Sequence, residues 1–326
     1  MSIFFTTNSR FLEIGLVNNM PDAALEATER QYLSLLGEAA GDEFQVRLTP
    51  YALPNVIRGD LGRSHVRSYE GVDDLLSRTL DGLIVTGAEP RAPNIRDEPF
   101  WGNLTQLLDW AEDNSCSAVW SCLAAQAGVL HIDGIPRQPL GGKKCGVFQS
   151  PRVEDHFLMA GVSSCLHMPH SRWNEIPEDE LRSCGYRILT RSKEAGVDVF
   201  VKQRKSLFIF LQGHPEYEAD TLLLEYRRDV RRFVNRECGT YPAMPHAYFS
   251  EAVVAVLTTL RERALSNPRE EIVADFPTAM ATAAVTNTWR RDAVRFYRNW
   301  LVWMAERKNR GLKARVQLGP AHVAAG

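Results

Sequence analysis

Apolar runs of strand length alternate with helical patterns through the first half of the chain, and this alternation constrains the fold more than any other feature. Leu12 to Val17 reads as a buried strand, and Ala23 to Ala39 follows with helical spacing that makes Leu25, Tyr32, Leu35 and Leu36 core contacts. Phe44 to Leu48 is the next strand. Residues 54 to 69 are polar, mixed in sign and without a period, so they read as a surface excursion before a helix around Val72 to Thr79. Asp81-Gly-Leu-Ile-Val-Thr-Gly87 is a strand ending in a glycine turn; a Pro-rich loop then runs through Pro99, and a helix spans about 100 to 113. A strand and a helix meet at Cys122. This order predicts an α/β fold: a mainly parallel sheet flanked by helices on both faces, with its reactive loops at the carboxyl ends of the strands.

The second half is less regular. Strands are expected at Lys144 to Gln149, Tyr186 to Thr190, Val197 to Val201 and Leu207 to Gln212, then a helix from Ala219 to Phe233. Residues 247 to 264 and 287 to 307 read as helices joined by a polar, Pro-containing connection, and the tail Pro320 to Gly326 has little reason to be ordered. With 326 residues, the chain is long for one domain, which suggests one core with appendages. A net charge of -2 gives no reason to propose a nucleic-acid or membrane-surface partner. No apolar run approaches the roughly 20 residues that span a bilayer. The six cysteines contain no C-x-x-C pair and no hydrophobic signal segment precedes the first strand, so a reduced, cytoplasmic protein is expected. The sequence has no metal-ligand cluster, phosphate-cradling loop or dinucleotide fingerprint.

The chemistry points to one cysteine. In Ser117-Ala-Val-Trp-Ser-Cys-Leu-Ala-Ala-Gln126 the strand ends abruptly and the helix begins at the cysteine itself. A side chain on such a turn projects outward while the first N–H groups of the helix point toward it and favour a thiolate. Downstream, Gly213-His-Pro-Glu216 can deliver an imidazole and the carboxylate that orients it. Together they suggest cysteine-based acyl transfer. The cysteines at 116, 165, 184 and 238 read as buried core residues or unreactive thiols. For His170, a hydrogen bond within a turn and a contact with substrate are equally open.

The motifs, taken together, resemble the homoserine O-acyltransferase family, also called homoserine O-succinyltransferases or transsuccinylases. The matching segments are Ile14-Gly-Leu-Val-Asn-Asn-Met-Pro21 with Glu26-Ala-Thr-Glu29, Asp81 to Ala88, Trp120 to Ala127, Gly134-Ile-Pro136, Gly146-Val-Phe148, Pro169-His-Ser-Arg172, Glu194-Ala-Gly196, Gly213-His-Pro-Glu-Tyr217, Glu225-Tyr-Arg-Arg-Asp229 and Trp289-Arg290. The resemblance covers about residues 12 to 249 and resumes near 288. It implies a class I glutamine amidotransferase-like, flavodoxin-like core over 1–249, a helical insertion over 250–287, and a C-terminal helix with a tail over 288–326. It implies homoserine O-succinyl transfer in methionine biosynthesis, with no bound cofactor, succinyl-CoA or acetyl-CoA as co-substrate, and a homodimer.

By the same resemblance Cys122 accepts the acyl group, His214 is its general base and acid, and Glu216 orients His214. The amides of Leu123 and of Gly87 or Ala88 are the oxyanion donors expected beside such a nucleophile. Lys143, Ser171, Glu225 and Arg228 fall around the acyl and amino-acid substrates. Glu225 and Arg228, three apart on a helix, could meet one ligand or pair with each other; Lys143 and Lys144 could equally be surface charges. Donor choice turns on Glu89-Pro-Arg-Ala-Pro-Asn94, which departs from the family pattern. Arg91 facing the pocket would receive a succinyl carboxylate, whereas Glu89 there would repel it and favour an acetyl donor. The chain departs from the family again at Asp22-Ala23 and over 250–287. A glutaminase-like hydrolase, suggested by the Cys…His-x-Glu order and Gln126, and a catalytically silent binding protein are the competing readings.

Overall fold

The computed structural model describes residues 10–317. The expected tail from Pro320 and the segment ahead of Arg10 lie outside them. In chain order the first half comprises β1 (Arg10–Val17), α1 (Leu25–Ala40), β2 (Phe44–Tyr51), α2 (Asp60–Val66), α3 (Val72–Leu76), β3 (Leu80–Val85), α4 (Trp101–Asn114), β4 (Ser115–Ser121) and α5 (Leu123–Asp133). The second half comprises β5 (Gln138–Pro151), β6 (Cys165–Glu175), α6 (Glu178–Ser183), β7 (Arg187–Ile188), β8 (Arg191–Ser192), β9 (Gly196–Val197), β10 (Val199–Gln203), β11 (Leu207–Leu211), α7 (Thr221–Val234), α8 (Glu251–Ser266), α9 (Glu271–Ala274), α10 (Thr278–Ala284) and α11 (Arg290–Gln317).

Seven strands form one sheet in the order β2-β1-β3-β4-β11-β10-β7. The pairs from β2 to β11 are all parallel, and β10 runs antiparallel to both of its neighbours. The first five positions follow the doubly wound order of flavodoxin-like folds, which carries reactive groups at the carboxyl ends of the strands. The central strands read as unbroken apolar runs because both of their faces are covered. Along β3 and β4, Ile84 and Val119 enter one core with Tyr32 and Leu35 of α1, while Leu83, Val85, Ala118 and Trp120 enter the other with Leu104 and Leu107 of α4. Side chains two apart thus share a face, as the strand period requires.

α11 closes the first core with Phe296, Tyr297, Trp300, Leu301 and Met304, all buried. α8, α9 and α10 build a separate apolar cluster with the Leu223, Tyr226, Val230 and Val234 face of α7. The connection between the two long C-terminal helices therefore contains two short helices, within the stretch that the residue pattern read as a polar connection and the family resemblance as a helical insertion. α2 likewise lies within the stretch read as a surface excursion. Its only buried residue is Gly62, and Leu61 is 86% exposed, so it has no apolar stripe to betray it. β6 also escaped notice, because Pro169 and its polar neighbours mask a strand that pairs with β5 away from the main sheet.

Candidate active site

Cys122 sits between β4 and α5 with φ of 51° and ψ of -110°. A non-glycine residue at positive φ costs about 1–3 kcal/mol, a strain found where a side chain must be aimed out of a strand-to-helix turn. The turn is pinned by the Cys122 N–H, which donates to the Leu211 carbonyl at 2.7 Å. Because β4 lies between β3 and β11, the loops after those two strands flank the cysteine on either side.

On the β3 side, Gly87 packs against the start of α5. A Cβ at Gly87 would stand 3.1 Å from the Leu123 nitrogen and 3.5 Å from the Ser121 carbonyl oxygen. Glycine therefore leaves the Leu123 amide, which has no helical acceptor at this position, open to an approaching oxygen. The structure brings Gly87 against Leu123, with Ala88 next in the same turn.

On the β11 side, His214 Nδ1 lies 2.8 Å from Glu216 Oε1, and both side chains are buried. With Nδ1 committed to Glu216, the other ring nitrogen is left for Cys122, whose thiol is near enough to favour the protonated imidazole. Burial works against the imidazolium, but the Glu216 carboxylate first, then Cys122, more than offset it and hold this histidine well above its ordinary range. Tyr217 stacks on the ring at 4.4 Å. The His214 N–H donates to the Pro169 carbonyl of β6 at 2.8 Å.

Next to this line lies a charged cluster that joins β5, β6 and α7. Lys143 Nζ donates to Asp229 at 2.6 Å and to Glu225 at 3.5 Å, and its side chain is only 12% exposed. Lys143 is thus not the solvated surface charge that the sequence left open. Glu225 also accepts from the Ser171 hydroxyl and from the Tyr217 hydroxyl, the latter at 2.7 Å. Burial pushes Glu225 up, but Lys143 foremost, then Arg228, Ser171 and Tyr217, draw it below the usual carboxylate range. Arg228 pairs with its neighbour Asp229 at 3.0 Å, not with Glu225. The expected set of Lys143, Ser171, Glu225 and Arg228 therefore does converge, with Tyr217 and Asp229 as two further members that quoted motifs contained but that received no role.

The loop after β3 is held by Glu98, whose carboxylate accepts from the Arg91 and Ala92 amides at 2.6 and 2.7 Å. Ala88, Glu89, Arg91 and Glu98 line a cavity of about 290 Å³. Glu89 is paired with Arg232 of α7 at 3.0 Å, while the Arg91 side chain is exposed at the cavity margin. Arg137, which sequence reasoning missed, reaches Gln126 one turn beyond the cysteine at 3.5 Å and the Pro93 carbonyl at 3.1 Å. Lys144 turns outward to the Glu194 carbonyl at 2.5 Å. His170 lies within β6, fully buried, so neither the turn nor the substrate contact describes it. All six cysteines are free, and among the described residues no group of three or more His, Cys, Asp or Glu stands together to hold a metal ion. No described helix is long and apolar enough to cross a membrane.

The geometry can be set beside known proteins. Residues 5–310 match the family model described as homoserine O-succinyltransferase. The homoserine O-succinyltransferase of Methylorubrum extorquens is 44% identical over 299 residues, spanning 91% of this chain and 88% of that protein. Those of Rhodopseudomonas palustris and Thiothrix nivea are 44% and 39% identical, each over 91% of this chain and over 89% and 83% of their own lengths. Among solved structures, a glutamine amidotransferase from Methylobacillus flagellatus aligns with a TM-score of 0.48 at 16% identity, over 90% of this chain and 94% of that one. A glutamine amidotransferase from Thermotoga maritima aligns at 0.44 and 13% identity, over 92% of this chain and all of that one. By its matched length and by its identity to these relatives, the chain belongs to the homoserine O-succinyltransferase family, a family of acyltransferases.

Proposed function

We propose that this chain transfers a succinyl group from a CoA thioester to the hydroxyl of homoserine by way of an acyl-Cys122 intermediate. The observation that carries the reading is the line of Cys122, His214 and Glu216 at one strand edge, beside a buried cluster of acidic and basic side chains. In the first half-reaction the Cys122 sulfur, whose proton His214 already holds, attacks the thioester carbonyl, and the collapsing intermediate expels CoA, which His214 protonates. One thioester replaces another, so the acyl group stays activated. In the second half His214 removes the proton of the homoserine hydroxyl, the oxygen attacks the acyl-cysteine, and the thiol is restored. Amides of Leu123 and the Gly87–Ala88 turn stabilise both tetrahedral oxyanions, each typically contributing about 3 kcal/mol.

Glu225 offers an anionic partner for the homoserine ammonium, and Arg228 with Lys143 offers cations for its carboxylate, with Ser171 and Tyr217 fixing the Glu225 carboxylate. The ion pair with Arg232 neutralises Glu89, and Glu98 is engaged by the Arg91 and Ala92 amides, which reduces the repulsion of a second acid group and favours succinyl over acetyl. Arg91, at the cavity margin, is then the cation available to the succinyl carboxylate. The test is turnover with each donor and acceptor: succinyl-CoA with homoserine should release CoA and yield the O-succinyl ester, in preference to acetyl-CoA. Ammonia release from glutamine with no CoA consumed would replace this reading with a glutaminase-like one.

A further inference from the structure

Three ionisable side chains with no part in the acyl transfer are buried directly behind the proposed base. His170 and Asp198 are 0% exposed and Arg172 is 2% exposed. Burying a carboxylate and a guanidinium costs several kcal/mol unless the surroundings compensate, so a cluster placed this close to a reacting centre calls for a role. Arg172 is spent on neutral acceptors: its guanidinium donates to the Asn174 carbonyl at 2.6 Å, to the Ala195 carbonyl, and through Nε to His170 Nδ1 at 3.3 Å. A donor aimed at Nδ1 assigns the ring proton of the neutral imidazole to Nε2. That state agrees with the direction of its titration, which burial, then the charges of Arg172 and His214, push well below the ordinary histidine range.

His170 Nε2 faces Asp198 Oδ1 at 3.5 Å, and the same oxygen accepts the Gly213 N–H at 3.1 Å. Gly213 immediately precedes His214, whose own N–H donates to the carbonyl of Pro169, the residue before His170. The two chain segments are thereby joined backbone to backbone at His214, while the Asp198 carboxylate anchors the Gly213 peptide and stands against the His170 ring. A Cβ at Gly213 would lie 2.3 Å from Met168 Cγ and 2.9 Å from Asp198 Oδ1, so the peptide has been brought as close to that carboxylate as glycine permits.

We propose that Asp198 is a positioning residue that fixes the Gly213–His214 peptide through the oxygen that accepts the Gly213 N–H, with His170 facing the same carboxylate, and so aims the imidazole at Cys122. Asp198 touches no substrate and acts only through His214. This inference rests on the assignment of His214 as the base. The decisive comparison is Asp198→Ala with Asp198→Asn, because asparagine keeps an acceptor oxygen for the Gly213 N–H and alanine does not.

Asp198→Ala should lower kcat at least tenfold with KM for both substrates within twofold of wild type, and should slow iodoacetamide alkylation of Cys122 to a similar degree. Asp198→Asn should restore kcat to within about threefold of wild type. His170→Gln, which removes the ring that faces the carboxylate, should lower kcat with KM unchanged and serves as the test if the alanine variant does not fold. Wild-type kcat in Asp198→Ala, equal losses in the alanine and asparagine variants, or a rise in KM matching the fall in kcat would each overturn the proposal. If the alanine variant is unfolded, wild-type kcat in His170→Gln overturns it. Absence of acyl transfer in the wild-type protein would instead refute the underlying reading, and alkylation of Cys122, which needs no acyl substrate, still reports the aim of His214.

Discussion

At the residue scale the site depends on two positions where a side chain is absent or strained. Cys122 accepts a backbone conformation with φ of 51° that L-residues avoid, and this turns the sulfur out of the sheet. Gly87 does the opposite job by presenting no side chain to the amide that follows the cysteine. Its conformation is not in the left-handed region, so alanine is tolerated by the backbone, yet the added methyl would stand 3.1 Å from the Leu123 nitrogen. Gly87→Ala should therefore leave thermal unfolding nearly unchanged while lowering kcat by roughly 10²-fold or more, the usual effect of losing one oxyanion donor. Steady-state kinetics beside a melting curve would check this; unchanged kcat would remove the Leu123 amide from the account. Both positions were legible in the sequence, because an abrupt strand-to-helix change and a strand ending in glycine are local signals. Tyr217, Asp229 and Arg137 were not, since their roles arise from neighbours distant in the chain: Tyr217 meets Glu225 and His214, Asp229 meets Lys143, and Arg137 meets Pro93.

At the element scale α7 does two things at once. Leu223, Tyr226, Val230 and Val234 pack against α8, α9 and α10, while Glu225 and Asp229 reach Lys143 on β5. The helical additions thus brace the helix that carries the charged cluster. Removing the buried cation leaves two carboxylates without it, a change that typically destabilises by about 3–5 kcal/mol. Lys143→Met should show that loss in urea unfolding at neutral pH. Glu225 and Asp229 are both held below the usual carboxylate range, in each case against burial and with Lys143 as the largest favourable influence. Such groups contribute stability above the unfolded pKa of about 4 and lose it as pH falls through their lower folded values. The gap between variant and wild type should consequently shrink as the pH falls below about 4. An equal gap at neutral and acid pH would mean that Lys143 supports the fold by packing rather than by charge. The elements themselves were legible where an apolar period exists, as in β1, α1, β3 and β4. β6 and α2 were hidden for opposite reasons: one carries proline and polar residues, and the other buries nothing but Gly62.

At the scale of the whole molecule, strand order does the assembling. Placing β4 between β3 and β11 brings three loops, far apart in sequence, to one sheet edge. One supplies the sulfur, one the amides and one the imidazole with its carboxylate. The alternation of strands and helices predicts the parallel half of this sheet, but the antiparallel β10 and the detached β5–β6 pair depend on tertiary partners that no local pattern reports. His170 and Asp198 belong to that second class, for they meet only because β6 packs beside the end of β11. The central claim is that the acyl group rests on Cys122, and the direct measurement is the intact mass of the protein after brief exposure to succinyl-CoA without acceptor, with the modified residue located by peptide mapping. The expected result is a gain of one succinyl group on Cys122, lost on addition of homoserine and absent in Cys122→Ala. An unmodified protein that nonetheless turns over succinyl-CoA and homoserine would contradict it.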